Sequence, residues 1–306
     1  LLALARAEAA RAAGAGGNPI FHTLLLQKPY DSPHLSLRMR QPDLWESLAT
    51  RHEQRDPTKG CIDPTQIGAA RDVCEITLRL PGGPRTLEMF AYLSHLVNPD
   101  TLWDPEADSS LPIYEGGTWT GTLLWDSAVH ATEWLLAAPE TRDRLRGKSA
   151  LELGCGLGLP GLACHALGAS PVLLTDRPPI AALVAEGLAH AGLADAGVRA
   201  YSFEWDDAGA AAVLAEFGGR PPDFILACDC IFAPLFGDSF LLLRMLDALA
   251  GPHTTAIVAL ERRAGDGAER FFEEAIAAGF AVSAPRVECG AVVCVELTRT
   301  VANSTT

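Results

Sequence analysis

The stretch LELGCGLGLPGL, Leu151–Leu162, decides how the rest of the chain is read. An apolar run meets Glu152, glycines follow at 154, 156 and 158, and a hydrophobic helical pattern resumes. Glycine at that density costs stability inside regular structure. The segment therefore reads as a turn between a strand and a helix, with a backbone that comes close to something.

On both sides of that turn the chain alternates short apolar runs with helical patterns. SALELG precedes a helix over Pro160–Leu167, PVLLTD one over Ile180–Ala191, and VRAYSF one over Ala208–Phe217. DFILACD precedes a helix over Asp238–Leu249, and TTAIVALE one over Ala268–Ala278. FAVSAP and AVVCVELTR close the series. Repeated strand–helix units predict an α/β protein with a mostly parallel, Rossmann-like sheet covered by helices on both faces. No helix fits between the last two runs, so they are expected to pair antiparallel.

The N-terminal part reads differently. Residues 1–70 are expected to be irregular, broken by NPI, KPYDSPH, RQPD and RDPTKG, with a helical piece around Asp43–His52. CEITLRL (74–80) and TLEMFAYL (86–93), joined through PGGPR, predict a β-hairpin, and NPDTLWDPEADSSLP (98–112) a polar loop. The expected division is an extension over 1–115 and an α/β domain over 116–306. The first stretch, LLALARAEAARAAGAGG, begins without Met and reads as a surface helix or tail, with a targeting remnant as the alternative.

Composition narrows the function classes. The formal net charge of the 306 residues is −14, with no basic run, which argues against general nucleic-acid binding and suits a basic or lysine-bearing partner. No apolar run reaches the roughly 18–20 residues of a membrane span. The eight cysteines form no CxxC pair and no His-rich ligand spacing, so neither a disulfide scaffold nor a metal site is expected. Cys228 and Cys230 would share a face on a strand, as core packing.

Open α/β sheets bind ligands at the carboxyl ends of their strands, where strand order reverses. The glycine turn lies at such an end, although a glycine turn alone also serves geometry. The second strand ends at Asp176, about 20 residues on, where an acid accepts the hydroxyls of a ribose or else caps a helix. Together they indicate a nucleoside cofactor. The dinucleotide fingerprint is GxGxxG/A, whereas this turn reads E-x-G-x-G-x-G. An acid there suits the ammonium and sulfonium of S-adenosylmethionine better than phosphates. FEWDD (203–207) offers an aromatic and acids for an adenine, and LACDCIF (226–232) sets Asp229 at the end of the fourth strand.

From about Cys74 to Arg299 the sequence resembles the seven-β-strand protein-lysine methyltransferases, in particular the family-16 group. The motifs are GGTWTGTLLWDSAVHATEWL (116–135), LELGCGLGLPGL, LLTDRP, FEWDD, ILACDCIFAP and ALERR; the segment with Trp125, Asp126 and Ser127 is the most specific. The resemblance implies a seven-stranded sheet with an antiparallel last strand and S-adenosyl-L-methionine as cofactor. It implies that Gly154, Gly156 and Gly158 border the methionine part, and that Glu152 holds the turn or meets the tail through water. Asp176 would take the ribose hydroxyls, Trp205 and Asp206 the adenine side, Cys228 a cofactor contact, and Trp125 would close over the cofactor. Asp229 and Phe232 would be the catalytic pair of a D-x-x-Y element facing the acceptor amine. Phe232 stands where that element has Tyr, so the ring is kept and the hydroxyl is lost.

The implied enzyme is a protein-lysine N-methyltransferase, with a lysine-bearing protein as partner and neither nucleic acid nor membrane. It would be a monomer or in complex with its substrate, in the cytoplasm, with organelle import as the alternative. A methyltransferase for a small molecule or another residue type, and a non-catalytic subunit of a larger assembly, are the other readings. Trp45, Trp103 and Trp134 read as packing residues, and His130 and His165 as core or surface residues. The ERR arginines (Arg262, Arg263) read equally as contacts to acidic substrate or as surface ion pairs.

Overall fold

The computed structural model describes residues 30–40, 71–92, 121, 124–233 and 240–300. The expected helix over 43–52 and loop over 98–112, with Trp45 and Trp103, lie outside the described residues, as does most of the segment before Leu124.

Four strands, β1 (Tyr30–Asp31), β2 (Leu35–Met39), β3 (Arg71–Leu80) and β4 (Gly83–Tyr92), form an antiparallel sheet in that order. The hairpin is longer than expected, and its turn is confined to Pro81-Gly82. Residues 1–70 are not irregular throughout, because β1 and β2 lie within them. The breaker DSP is itself the reversal of a second hairpin. Ser32 Oγ accepts the N–H groups of His34 (3.1 Å) and Leu35 (2.9 Å), a side-chain-stabilised turn. Beyond it LSLRM alternates, with Leu35 and Leu37 buried on one face.

The main sheet follows two helices, α1 (Asp126–Ala137) and α2 (Pro139–Leu145). Its units are β5 (Ala150–Leu153) with α3 (Leu159–Ala166), β6 (Val172–Asp176) with α4 (Pro178–His190), and β7 (Val198–Ser202) with α5 (Asp207–Glu216). Then come β8 (Phe224–Cys228) with α6 (Phe240–Leu249) and β9 (Thr255–Glu261) with α7 (Ala268–Ala277). β10 (Phe280–Val282), β11 (Val287–Cys289) and β12 (Val292–Arg299) end the described chain. Strands β5, β6 and β8 are buried on both faces, which is why their sequences run apolar without alternation. Proline in the first turn of α2, α3 and α4 supplies a preset φ where no N–H is needed.

The strand order is β10-β12-β9-β8-β5-β6-β7, with β11 added against β12. Strands β5 to β9 pair in parallel, while β12 is antiparallel to both β9 and β10, as the missing crossover helix required. Order reverses between β5 and β8, so their carboxyl ends flank the natural crevice.

Two cores cover the two faces. Phe203, Val213, Leu246 and Phe271 pack on the side of α5, α6 and α7. Val129, Leu162 and Val184 pack on the side of α1, α3 and α4, and this second core also contains Leu37, Ile76 and Met89 of the four-stranded sheet. That small sheet is thus a further layer on the helices. A Cβ at Gly187 of α4 would stand 2.8 Å from Met89 Cε, so the glycine permits the contact.

Candidate active site

The turn after β5 places Gly154, Gly156 and Gly158 at φ 61°, 51° and 74°, all left-handed. Only glycine adopts this conformation without strain, so the spacing is a backbone requirement. Gly156 N donates to Asp176 Oδ2 at 2.9 Å, and Arg177 N to Oδ1 at 2.8 Å. The acid at the end of β6 therefore orders the turn, and each of its oxygens keeps a further lone pair for a hydroxyl. Burial raises the pKa of Asp176, and the two N–H groups oppose that shift.

Glu152 is 1% exposed, and its Oε2 accepts the Gly161 N–H at 2.8 Å. It thereby holds the start of α3, which is the first of its two expected roles. The N-cap, Gly158, offers no side chain to the free N–H groups of the first turn, and Glu152 meets one of them. Burial, the largest influence, pushes the carboxyl up to about 8. Gly161 makes room for it, since a Cβ there would lie 2.7 Å from Glu152 Oε2 and 2.2 Å from Leu174 Cδ2. A glycine inside a helical pattern costs about 1 kcal/mol, and that was the available signal for this close approach.

Trp205 and the loop after β8 meet the turn. A Cβ at Gly154 would be 3.6 Å from Trp205 Cζ2 and 3.0 Å from Cys230 Sγ. Asp206, next to Trp205, is the N-cap of α5, where its Oδ1 accepts Gly209 N at 2.7 Å. Cys228 and Cys230 do not share a strand face, because β8 ends at Cys228. Cys228 packs on the α1 and α3 side, while Cys230 lies against the other core and the turn, with Sγ 3.3 Å from Leu153 O. His165 has a buried Nδ1 with no hydrogen-bond partner among the described residues, and burial lowers its pKa. Trp134 packs on the core, as expected.

A second cluster lies at the carboxyl ends of β8 and β9. Asp229 is buried at a left-handed φ of 51°, a conformation that costs a non-glycine residue on the order of 1–3 kcal/mol. Its Oδ2 accepts Ser127 Oγ at 2.6 Å, and its Oδ1 accepts Glu261 N at 2.9 Å and Arg263 Nη1 at 3.3 Å. Arg263 Nη2 is 2.5 Å from Glu261 Oε2, and its guanidinium lies over the rings of Trp125 (5.3 Å) and Phe232 (5.5 Å). The side chain of Arg263 is only 6% exposed, so it is not a surface ion pair. Arg262 is the more peripheral of the two, 2.9 Å from Asp266.

The sequence reading sets Asp229 and Phe232 at the acceptor amine and Trp125 over the cofactor; the structure gathers all three around Arg263. Ser127, Glu261 and Arg263 complete the cluster; the sequence had marked Ser127 only as part of the most specific segment and Arg263 with its role open. Burial raises the Asp229 pKa, against the opposing Arg263 charge and the Ser127 and Glu261 hydrogen bonds. Asp126, one residue after Trp125, is pushed up to about 6 by burial and by the Glu261 and Asp229 charges.

The crevice fits a nucleoside with an amino-acid tail. It joins left-handed glycines without Cβ atoms, a carboxylate with spare acceptor capacity and the edge of Trp205. The fold is of the Rossmann-like, mixed-sheet class, with the crevice at the point where strand order reverses. A family model described as lysine methyltransferase matches residues 107–277, and the chain belongs to that family. The chain is similar to secreted RxLR effector protein 48 of Plasmopara viticola, at 34% identity over 37% of this chain and 64% of that protein. It is 32% identical to EEF1A lysine methyltransferase 3 of Mus musculus over 49% of this chain and 59% of that protein. With calmodulin-lysine N-methyltransferase of Arabidopsis thaliana it shares 27% identity over 77% of each. The chain spans less than two thirds of the first two relatives.

Proposed function

We propose that this chain transfers a methyl group from S-adenosyl-L-methionine to the side-chain amine of a lysine in a protein. The observation that carries the reading is the adjacency of two unlike sites at the switch point. The glycine turn with Asp176 forms one, and the acid and aromatic cluster around Asp229 the other, joined through Cys230, Trp205 and Gly154. When bound, the cofactor supplies a methyl group on a sulfonium. The chain's own residues position the partners and exclude water, the main task in a displacement of this kind. Asp176 would receive the ribose hydroxyls, Trp205 the adenine side, and Gly154, Gly156 and Gly158 the tail. Trp125 and Phe232 would wall the channel by which the amine arrives.

Protein acceptors are supported by the names of the relatives and by the acidic balance of the chain, which favours basic surfaces over nucleic acid. A reducing compartment such as the cytoplasm is supported by seven free cysteines among the described residues, and none of the described helices is long and apolar enough to cross a membrane. An extension over 1–115 and a catalytic unit over 116–306 is the division we favour, with the active form a monomer or a complex with its substrate.

One observation favours a second reading, a subunit that binds cofactor without turnover: Arg263 lies over both channel rings and pairs with the acid that would meet the amine. Incubation with methyl-labelled cofactor and a cell extract decides between them. Label on lysine in a protein band supports transfer, and binding of S-adenosylhomocysteine without label supports the second reading. No binding of either ligand by calorimetry removes both. Asp176→Ala is expected to weaken binding of S-adenosylhomocysteine at least tenfold, since a hydrogen bond to a charged group contributes roughly 1.5–3 kcal/mol.

A further inference from the structure

A guanidinium is an unexpected neighbour for a site that would receive an amine. A guanidinium is a fixed positive charge in proteins. Arg263 Nη1 is 3.3 Å from Asp229 and its Nη2 2.5 Å from Glu261, and the group lies over Trp125 and Phe232. The cluster also holds two buried atoms without hydrogen-bond partners among the described residues. One is a donor, Arg263 Nε, and the other an acceptor, Asp126 Oδ1. A neutral amine both donates and accepts, whereas an ammonium only donates.

The charges around the cluster come from every element that meets there. Asp126 arrives from α1, Asp229 from the end of β8 and Glu261 from β9. Beyond Arg263, Arg262 is occupied by Asp266 at 2.9 Å and is 3.9 Å from Glu269. Without Arg263, three carboxylates would face the acceptor and hold a lysine as its ammonium. That form has no lone pair to attack with, and a free lysine with a pKa near 10.4 is uncharged in only about one molecule of a few thousand at neutral pH.

We propose that Arg263 makes this site select the uncharged form of the acceptor amine, a specificity that rests on the methyl-transfer reading above. The ammonium gives its proton to water on entry. The nitrogen lone pair then forms the N–C bond as the C–S bond breaks, and the bonding pair stays on sulfur. Arg263 does not touch the reacting atoms. It positions Asp229 and both rings, and its charge opposes a second cation in the same enclosure.

The test measures label transfer from S-adenosylmethionine to lysines of a heat-treated cell extract, by the full chain, from pH 7 to pH 10. Asp126 titrates near 6, below that window. The wild-type rate rises with pH as the amine loses its proton. Arg263→Gln is expected to move that rise upward by about one unit, giving roughly tenfold less transfer at pH 7 and recovery toward pH 10. Arg263→Lys keeps the charge but loses the planar fork that meets two carboxylates and two rings, so it is expected to lower the rate without moving the rise. Glu261→Gln removes a negative charge and is expected to move the rise downward, so the sign is tested even should Arg263→Gln fold poorly. A parallel loss at every pH in Arg263→Gln, with an unmoved Glu261→Gln profile, overturns the proposal and leaves methyl transfer standing. A wild type that binds S-adenosylhomocysteine but labels no lysine overturns the transfer reading and this proposal with it.

Discussion

The two halves of the crevice are built in opposite ways. On the β5–β6 side the site is backbone: three left-handed glycines within five residues, tied by Asp176 to the neighbouring strand end. On the β8–β9 side it is side chains, drawn from residues as far apart as Ser127 and Arg263 and joined by ion pairs and ring faces. A backbone site tolerates no added atoms. A side-chain site tolerates isosteres but depends on the charge of each member.

Gly161→Val is expected to break the first half most severely. Its Cβ would stand 2.2 Å from Leu174 Cδ2 and 2.7 Å from Glu152 Oε2, so it overpacks the core and displaces a buried hydrogen bond. The combined loss is about 4 kcal/mol, read as a collapse of thermal stability and of S-adenosylhomocysteine binding together. Asp229→Asn acts on the second half with a different signature. It leaves Arg263 with one carboxylate partner instead of two, at about 3 kcal/mol, while cofactor affinity stays within a few-fold. Equal loss of cofactor binding in both variants would show that the halves are one cooperative unit.

The same contrast explains what the sequence disclosed. Strands β5, β6 and β8 are apolar because both faces are covered, so their ends fell within a residue or two of expectation. The glycine turn is contiguous, and its spacing is its own signal. β2 was hidden because DSP was read as a breaker, whereas Ser32 makes it a hairpin turn. The capping role of Asp206 went unread, although an acid three residues before Gly209 at a helix start is a cap signal. The role of Arg263 was illegible for a deeper reason. Nothing local marks a buried arginine, since its partners Asp229 and Trp125 reach it only through the fold.

Glu152 gives a test by pH alone. Burial raises its carboxyl from 4.5 to about 8 in the folded chain. Between those values the folded state keeps a proton that the unfolded state releases. Its contribution to stability is full below the lower value and is lost as pH rises through the upper one. Asp126, Asp176 and Asp229 are raised too, so the wild-type slope is shared. Glu152→Gln isolates one member. It is expected within about 1 kcal/mol of wild type at pH 5, because the amide oxygen still accepts from Gly161 N, and above wild type at pH 8. Thermal melts across that range check it. A variant whose curve runs parallel to wild type means that Glu152 is ionised throughout.

The smallest effect is expected from Phe232→Tyr, which probes whether the side-chain half has room for the hydroxyl that the D-x-x-Y pattern carries. The ring is buried beneath the Arg263 guanidinium, and tyrosine keeps that face, so the cation–π contact survives. What changes is one added O–H in an enclosure with a single orphan acceptor, Asp126 Oδ1, among the described residues. Left without a partner, a buried hydroxyl costs roughly 1–3 kcal/mol; given that acceptor, about 1 kcal/mol or less. We expect the second outcome, with cofactor affinity unchanged. A cycle with Asp126→Ala, which removes the acceptor, tells the two apart in chemical denaturation. If the hydroxyl bonds to Asp126, the substitutions couple by at least about 0.5 kcal/mol; if it points elsewhere, their effects add. Additivity would mean that the para position of the phenyl ring is held away from Asp126.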